Sequence, residues 1–286
     1  MNPGTLLSAM AILGGVGLTF ALLIAVASRK LRVYEDPRID DVVGMLPGAN
    51  CGACGSAGCR AFAEKLVTGK SAPVACTVSS PGGHQSIAAY LGVSAGTAVK
   101  RVARLLCAGG TDVAIQQATY RGFPSCAAAS AVGGGGKGCT WGCVGLSDCA
   151  VACTFGAISM NAHGLPAVDP AKCTACGDCV EACPKDLFTI LPETRHLLVQ
   201  CRSRMMGESV TALCRVGCTG CGICSVDADP GLVSIVDGLA VVAADRSDAR
   251  NEKAVGRCPT GAIAWCEGAQ QFVGPPAGVL QGAGSS

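Results

Sequence analysis

Four cysteines at C-x2-C-x2-C-x3-C, namely Cys173, Cys176, Cys179 and Cys183, followed at once by Pro184, constrain this chain more than any other stretch. Three thiols two residues apart in a turn-rich loop can all reach one small inorganic core. The fourth, a helical turn on, points towards a neighbouring core. Upstream stands a looser set, Cys139, Cys143, Cys149 and Cys153, at C-x3-C-x5-C-x3-C. Eight thiols so spaced point to cubane iron–sulfur clusters. The competing reading is structural zinc, which favours two separated pairs of thiolates.

The second run has the spacing of bacterial ferredoxins, whose ligands interleave between two clusters. Interleaving assigns cluster A to Cys139, Cys143, Cys149 and Cys183, and cluster B to Cys153, Cys173, Cys176 and Cys179. Each half runs into an apolar strand start, Phe155 to Met160 and Leu187 to Leu191, as a pseudo-symmetric module requires. Thr154 stands where proline usually follows the fourth thiol. The longer loops of the first half cost on the order of 1 kcal/mol in closure entropy.

A chain of 286 residues accommodates about two domains. Its 21 cysteines are too many, in too long a chain, for a small secreted disulfide scaffold, so they belong in a reducing compartment as metal ligands. Forty glycines and few aromatics suit small cluster-wrapping units. Net charge is +2 and no basic run is interleaved with aromatics, which leaves no footprint for nucleic acid.

Residues 4 to 28 carry no charge, and Arg29, Lys30 and Arg32 come directly after them. About 20 apolar residues span a bilayer, and the basic flank places the downstream residues on the cytoplasmic side. A cleaved signal would need a basic stretch before the apolar one. Ala11/Gly15 and Gly17/Ala21 offer small faces to a partner helix. A short helix opened by Asp36 and Pro37, with Ile39, Val42, Val43 and Leu46 on one face, leads to Cys51, Cys54, Cys59 and Cys76. That C-x2-C-x4-C-x16-C pattern fits one cubane, with a zinc knuckle as its rival. Residues 85 to 107 read as further helix. Cys107 and Cys126 read as buried apolar thiols. Gly133 to Gly136 reads as a flexible joint, and the adjacent Lys137-Gly138 lacks the Ser or Thr of a phosphate loop.

Beyond the central module, Cys218, Cys221 and Cys224 repeat C-x2-C-x2-C, and Cys258-Pro259 closes a distant partner motif. Ala228 replaces the thiol expected after Cys224, and the charged run from Asp245 to Lys253 replaces the three expected before Cys258. By interleaving, the four missing thiols all serve one cluster and the four present all serve the other. This is a one-cluster remnant, with cluster C on Cys218, Cys221, Cys224 and Cys258. Cys214 is an alternative ligand. Cys201 and Cys266 have no assigned role, and the three histidines read as surface residues.

The expected fold is α+β: a membrane anchor over 1–28, a small helical 4Fe–4S domain over 29–92 and a helical, Gly-rich connector over 93–138. A two-cluster ferredoxin-type domain over 139–192, a degenerate one over 193–266 and a disordered tail over 267–286 complete it. In that order these elements resemble the B subunit of the Rnf electron-transport complex, in a longer form with extra ferredoxin-like sequence. Asp36-Pro37, Asn50 to Gly55 and Gly138 to Ile158 carry the likeness most specifically. The resemblance implies a bacterial inner-membrane complex that moves electrons between ferredoxin and NAD and couples this to translocation of Na+ or H+. It also implies soluble ferredoxin as electron donor, and membrane and cytoplasmic subunits as partners. The residues themselves imply a tethered relay of four [4Fe–4S] clusters, in contact with lipid and not with nucleic acid, with no substrate site of its own. Rival readings are a membrane-tethered donor that keeps a redox-sensing regulator reduced, and a zinc-stabilised binding module.

Overall fold

In the computed structural model, which describes residues 3–30, 35–97, 99–243, 251–270 and 272, the uncharged N-terminal stretch forms one helix, α1 (Pro3–Lys30). From Met10 to Lys30 it is long and apolar enough to cross a membrane, and none of it is buried against the rest of the chain. Burying so much apolar surface requires a bilayer or partner helices.

Helices α2 (Arg38–Met45), α3 (Cys59–Val67) and α4 (Pro81–Leu91) form the small N-terminal domain. Their apolar faces meet around Val42, Phe62 and Ile87, each almost wholly buried. The side chain of Asn50 starts α3, its Oδ1 accepting from the Cys59 amide at 2.8 Å. Ser80 caps α4 through Gly83 (3.1 Å), and Gly92 ends it in the left-handed conformation. The helix does not resume beyond Gly92. Arg101–Leu105 is instead strand β1, although its apolar residues fall at helical spacing. It pairs antiparallel with a strand 83 residues on, in the register Leu105↔Phe188. Tertiary pairing overrides the local pattern because Val102, Ala103 and Leu105 are all buried there.

The rest of the chain is one architecture used twice. In the first module, α5 (Cys126–Ala131) precedes α6 (Asp148–Ala152), β2 (Ile158–Met160), β3 (Pro166–Val168), α7 (Asp178–Glu181) and β4 (Phe188–Pro192). β1 pairs with β4 and β2 with β3. The second module repeats this order with β5 (Leu197–Val199), α8 (Glu208–Thr211), α9 (Ile223–Asp227), β6 (Val233–Val236), β7 (Leu239–Val242), α10 (Glu252–Gly256) and β8 (Ile263–Trp265). There β5 pairs with β8 and β6 with β7. The first module therefore begins at β1, inside the expected connector.

That connector also joins the modules. Ile115 N–H donates to Leu213 O (2.9 Å), Arg215 N–H to Val113 O (3.0 Å) and Gly138 N–H to Ile115 O (2.9 Å). The run Gly133–Gly136 is not a free joint. Gln117 N–H donates to Gly136 O at 2.7 Å, and a Cβ on Gly136 would clash with Ala118 O, so the chain closes on itself there. The segment after β8 is held as far as Gln270, whose amide brackets the backbone of Leu105 by donating to its carbonyl (2.6 Å) and accepting from its N–H (3.0 Å). Residue 271 and residues 273–286 of the expected disordered tail lie outside the described residues.

Candidate iron–sulfur centres

None of the 21 cysteines is in a disulfide. Three separate hollows are each lined by one complete thiol set. The first holds Cys51, Cys54, Cys59 and Cys76, between the Gly-rich loop and α3. The second holds Cys153, Cys173, Cys176 and Cys179. The third holds Cys218, Cys221, Cys224 and Cys258. Among the described residues, no three His, Cys, Asp or Glu side chains converge on a point suited to a single metal ion. In these three sets the sulfurs ring a volume instead.

Local structure explains each ring. Gly220, one residue before Cys221, has φ +68° and packs so closely on the next hairpin that a Cβ would lie 2.6 Å from Gly238 O. Gly145 repeats this in the first module, with φ +81° and Gly164 O at 2.8 Å. Both bends turn the thiol loop back over its module. Amide groups then face the sulfurs: Ala157 N–H donates to Cys153 (3.3 Å), Leu187 N–H to Cys183 (3.4 Å) and Ala103 N–H to Cys173 (3.4 Å). Such hydrogen bonds stabilise sulfur-borne negative charge and set reduction potentials. His84 is not a ligand; its Nε2 lies 2.9 Å from Cys76 O. His196 packs against Trp265, 5.2 Å between ring centroids, and so is not simply a surface residue.

Burial disfavours thiolate at these sites. Desolvation, helped by neighbouring sulfurs, pushes Cys149 and Cys179 up to about 12 and Cys224 to about 11. Buried in the same way, Cys143 and Cys201 are also pushed up to about 12, and Cys214 to about 11. Thiols so disposed keep their protons until a metal centre displaces them, so loading releases protons.

Further thiols stand near the set expected for cluster A. Cys143, Cys149 and Cys183 lie together, and the thiol facing all three is Cys126, at the start of α5. Cys139 is within electrostatic reach of Cys107 and Cys214. The lone-thiol reading of Cys107 and Cys126 missed both groupings, for neither residue has a ligand spacing with its sequence neighbours.

Two segments match family descriptions: residues 46–78 an Fe–S cluster family, and residues 165–188 a 4Fe–4S binding domain. The chain is 44% identical over 207 residues to the B subunit of the Na(+)-translocating ferredoxin:NAD(+) oxidoreductase complex of Acetobacterium woodii, covering 72% of this chain and 62% of that one. It is 38% identical to the B subunit of the ion-translocating oxidoreductase complex of Methanosarcina acetivorans, covering 90% of this chain and 97% of that one. To the B subunit of the proton-translocating ferredoxin:NAD(+) oxidoreductase complex of Clostridium ljungdahlii it is 35% identical, covering 91% and 92%. The thiol rings, the order of the domains and the latter two, near-full-length likenesses agree: the chain carries [4Fe–4S] clusters and belongs to the B-subunit family of ion-translocating oxidoreductase complexes, the Rnf family that its cysteine pattern resembles.

Proposed function

We propose that this chain is the electron-transfer subunit of an ion-translocating oxidoreductase complex, relaying single electrons along [4Fe–4S] clusters from soluble ferredoxin towards membrane partners. The observation that carries the reading is the enclosure of three separate cavities, each by its own four thiols, within one chain. Cys51, Cys54, Cys59 and Cys76 hold one cluster, Cys153, Cys173, Cys176 and Cys179 a second, and Cys218, Cys221, Cys224 and Cys258 a third. Cys143, Cys149 and Cys183 supply three ligands of a fourth. The clusters contribute one-electron chemistry. The protein contributes spacing, amide hydrogen bonds to sulfur and exclusion of water.

α1 anchors the relay as a single pass in the bacterial inner membrane, in contact with lipid. The basic residues at its C-terminal end keep the cluster domains on the cytoplasmic side, where ferredoxin can reach them. Catalytic turnover belongs to the assembled complex, and this chain acts in it without a substrate site of its own.

The test is iron and acid-labile sulfide on anaerobically purified full chain in detergent, followed by stopped-flow mixing with reduced ferredoxin. Brown protein whose visible absorbance bleaches on mixing is the expected result. Colourless protein containing zinc and no labile sulfide overturns the proposal.

A further inference from the structure

The two modules align at a constant offset. Cys143, Cys149 and Cys183 stand 75 residues before Cys218, Cys224 and Cys258. The equivalent of Cys221 is then Leu146, so the first module lacks a middle ligand. Cys126 fills the gap, and its sulfur receives the N–H groups of Leu146 and Asp148. This replaces Cys139 as the fourth thiol of the first module's ring and releases Cys139 for another role.

Four further thiols then pair off by the same symmetry. Cys107 comes two residues after β1, as Cys201 comes two after β5. Between strand and thiol, Leu106 N–H donates to Leu187 O, and its counterpart Gln200 N–H donates to Ala262 O. Cys139 precedes Cys143 by four residues, as Cys214 precedes Cys218. Their amide partners match as well. Cys143 N–H donates to the Cys107 sulfur at 3.4 Å, and Cys218 N–H to that of Cys201. Trp141 N–H faces Cys139, and Val216 N–H faces Cys214.

The module interface draws these two pairs together. Ala108 N–H donates to Gln200 O (3.0 Å), Ala114 bridges Cys214, and Gly138 is bonded to Ile115 in the same short ladder. A Cβ on Gly109 would lie 3.0 Å from the Cys214 sulfur and 3.7 Å from that of Cys107, so the two sulfurs flank one point. Cys107 is within electrostatic reach of Cys139, Cys201 and Cys214.

A second, independent observation concerns charge. Lys137 is buried, and its Nζ donates to Gly109 O and to Cys143 O (2.7 Å). Among the described residues it makes no ion pair with a carboxylate, yet it lies within reach of Cys139, Cys143 and Cys214. A buried ammonium with only carbonyl partners is unfavourable unless a negative charge lies close by. Four thiolates around an iron–sulfur core supply that charge.

From this placement we infer that Cys107, Cys139, Cys201 and Cys214 hold a fifth [4Fe–4S] cluster at the interface between the two modules. The inference rests on the relay reading above and extends it. Two thiols from each module tie the modules into one conducting body. An electron received from one module's cluster passes to the other's, with no bond made or broken. Of the 21 cysteines, only Cys266 is then left without a cluster.

The experiment counts iron and labile sulfide per full-length chain in detergent, with Mössbauer and EPR spectra of oxidised and reduced samples. Five cubanes give about twenty of each. Alanine at Cys107, Cys139, Cys201 or Cys214 should each remove about four iron, and the Cys107→Ala/Cys214→Ala pair should remove the same four and no more. Cys126→Ala should remove a different set, about four, which Leu146→Cys should restore, while Cys266→Ala should remove none. About sixteen iron in the unmutated chain, indifferent to Cys107→Ala, overturns the fifth site and leaves the relay standing; so does zinc found there. No iron at all overturns both. Should an alanine variant fail to fold, the unmutated chain's Mössbauer count still decides between five and four.

Discussion

The two ferredoxin-type modules share a strand order but differ in what fills their outer halves. In the first, Cys153, Cys173, Cys176 and Cys179 surround a cavity. In the second, the same offset places Ala228 for Cys153, Asn251 for Cys176 and Ala254 for Cys179, with Asp248, outside the described residues, for Cys173. Ala228 and Ala254 are buried and pack with Leu232, Val233, Ala240 and Ile263 in one apolar cluster. Asn251 has a different task; its Oδ1 caps α10 by accepting from Ala254 N–H at 3.1 Å. Side-chain packing occupies the positions at which the first module places thiols. Four thiols and an inorganic core can do the work of an apolar core in a unit this small, and the reverse exchange is equally open.

That contrast can be broken most severely by removing iron. Oxidative cluster loss under chelation should abolish hydrogen-exchange protection across β1 to β4, while the β5–β8 and β6–β7 pairs keep a measurable share. Equal loss in both modules would show that packing around Ala254 gives the second no independence. Next in size is Leu232→Ala, which empties a fully buried position and should cost about 2–5 kcal/mol in the second module. Denaturant-dependent hydrogen exchange should register this there and leave the first module's iron content unchanged. Smallest is the pair Gly145→Ala and Gly220→Ala. Each forces a side chain into the left-handed region against a carbonyl, at about 1–3 kcal/mol, and the two costs should agree within error in a thermal unfolding series. A large difference between them would argue against equivalent loop geometry in the two modules.

Spacing by itself picked out three thiol sets that the fold gathers around one hollow each, Cys51–Cys76, Cys153 with Cys173–Cys179, and Cys218–Cys258, along with the apolar N-terminal helix. These rest on short-range geometry, because thiols two to four residues apart in a loop can reach one core wherever the loop is placed. The tertiary structure alone decided that residues 101–105 are a strand, since β1 exists only by pairing with β4. It alone showed Gln270 pinned to Leu105, a contact across 165 residues. It alone brought Cys126 within electrostatic reach of Cys143, Cys149 and Cys183, and Cys107 within reach of Cys139, Cys201 and Cys214. No local pattern links those residues. Their proximity arises from packing one module against its repeat, and a symmetry between two folded units is visible only once both are folded.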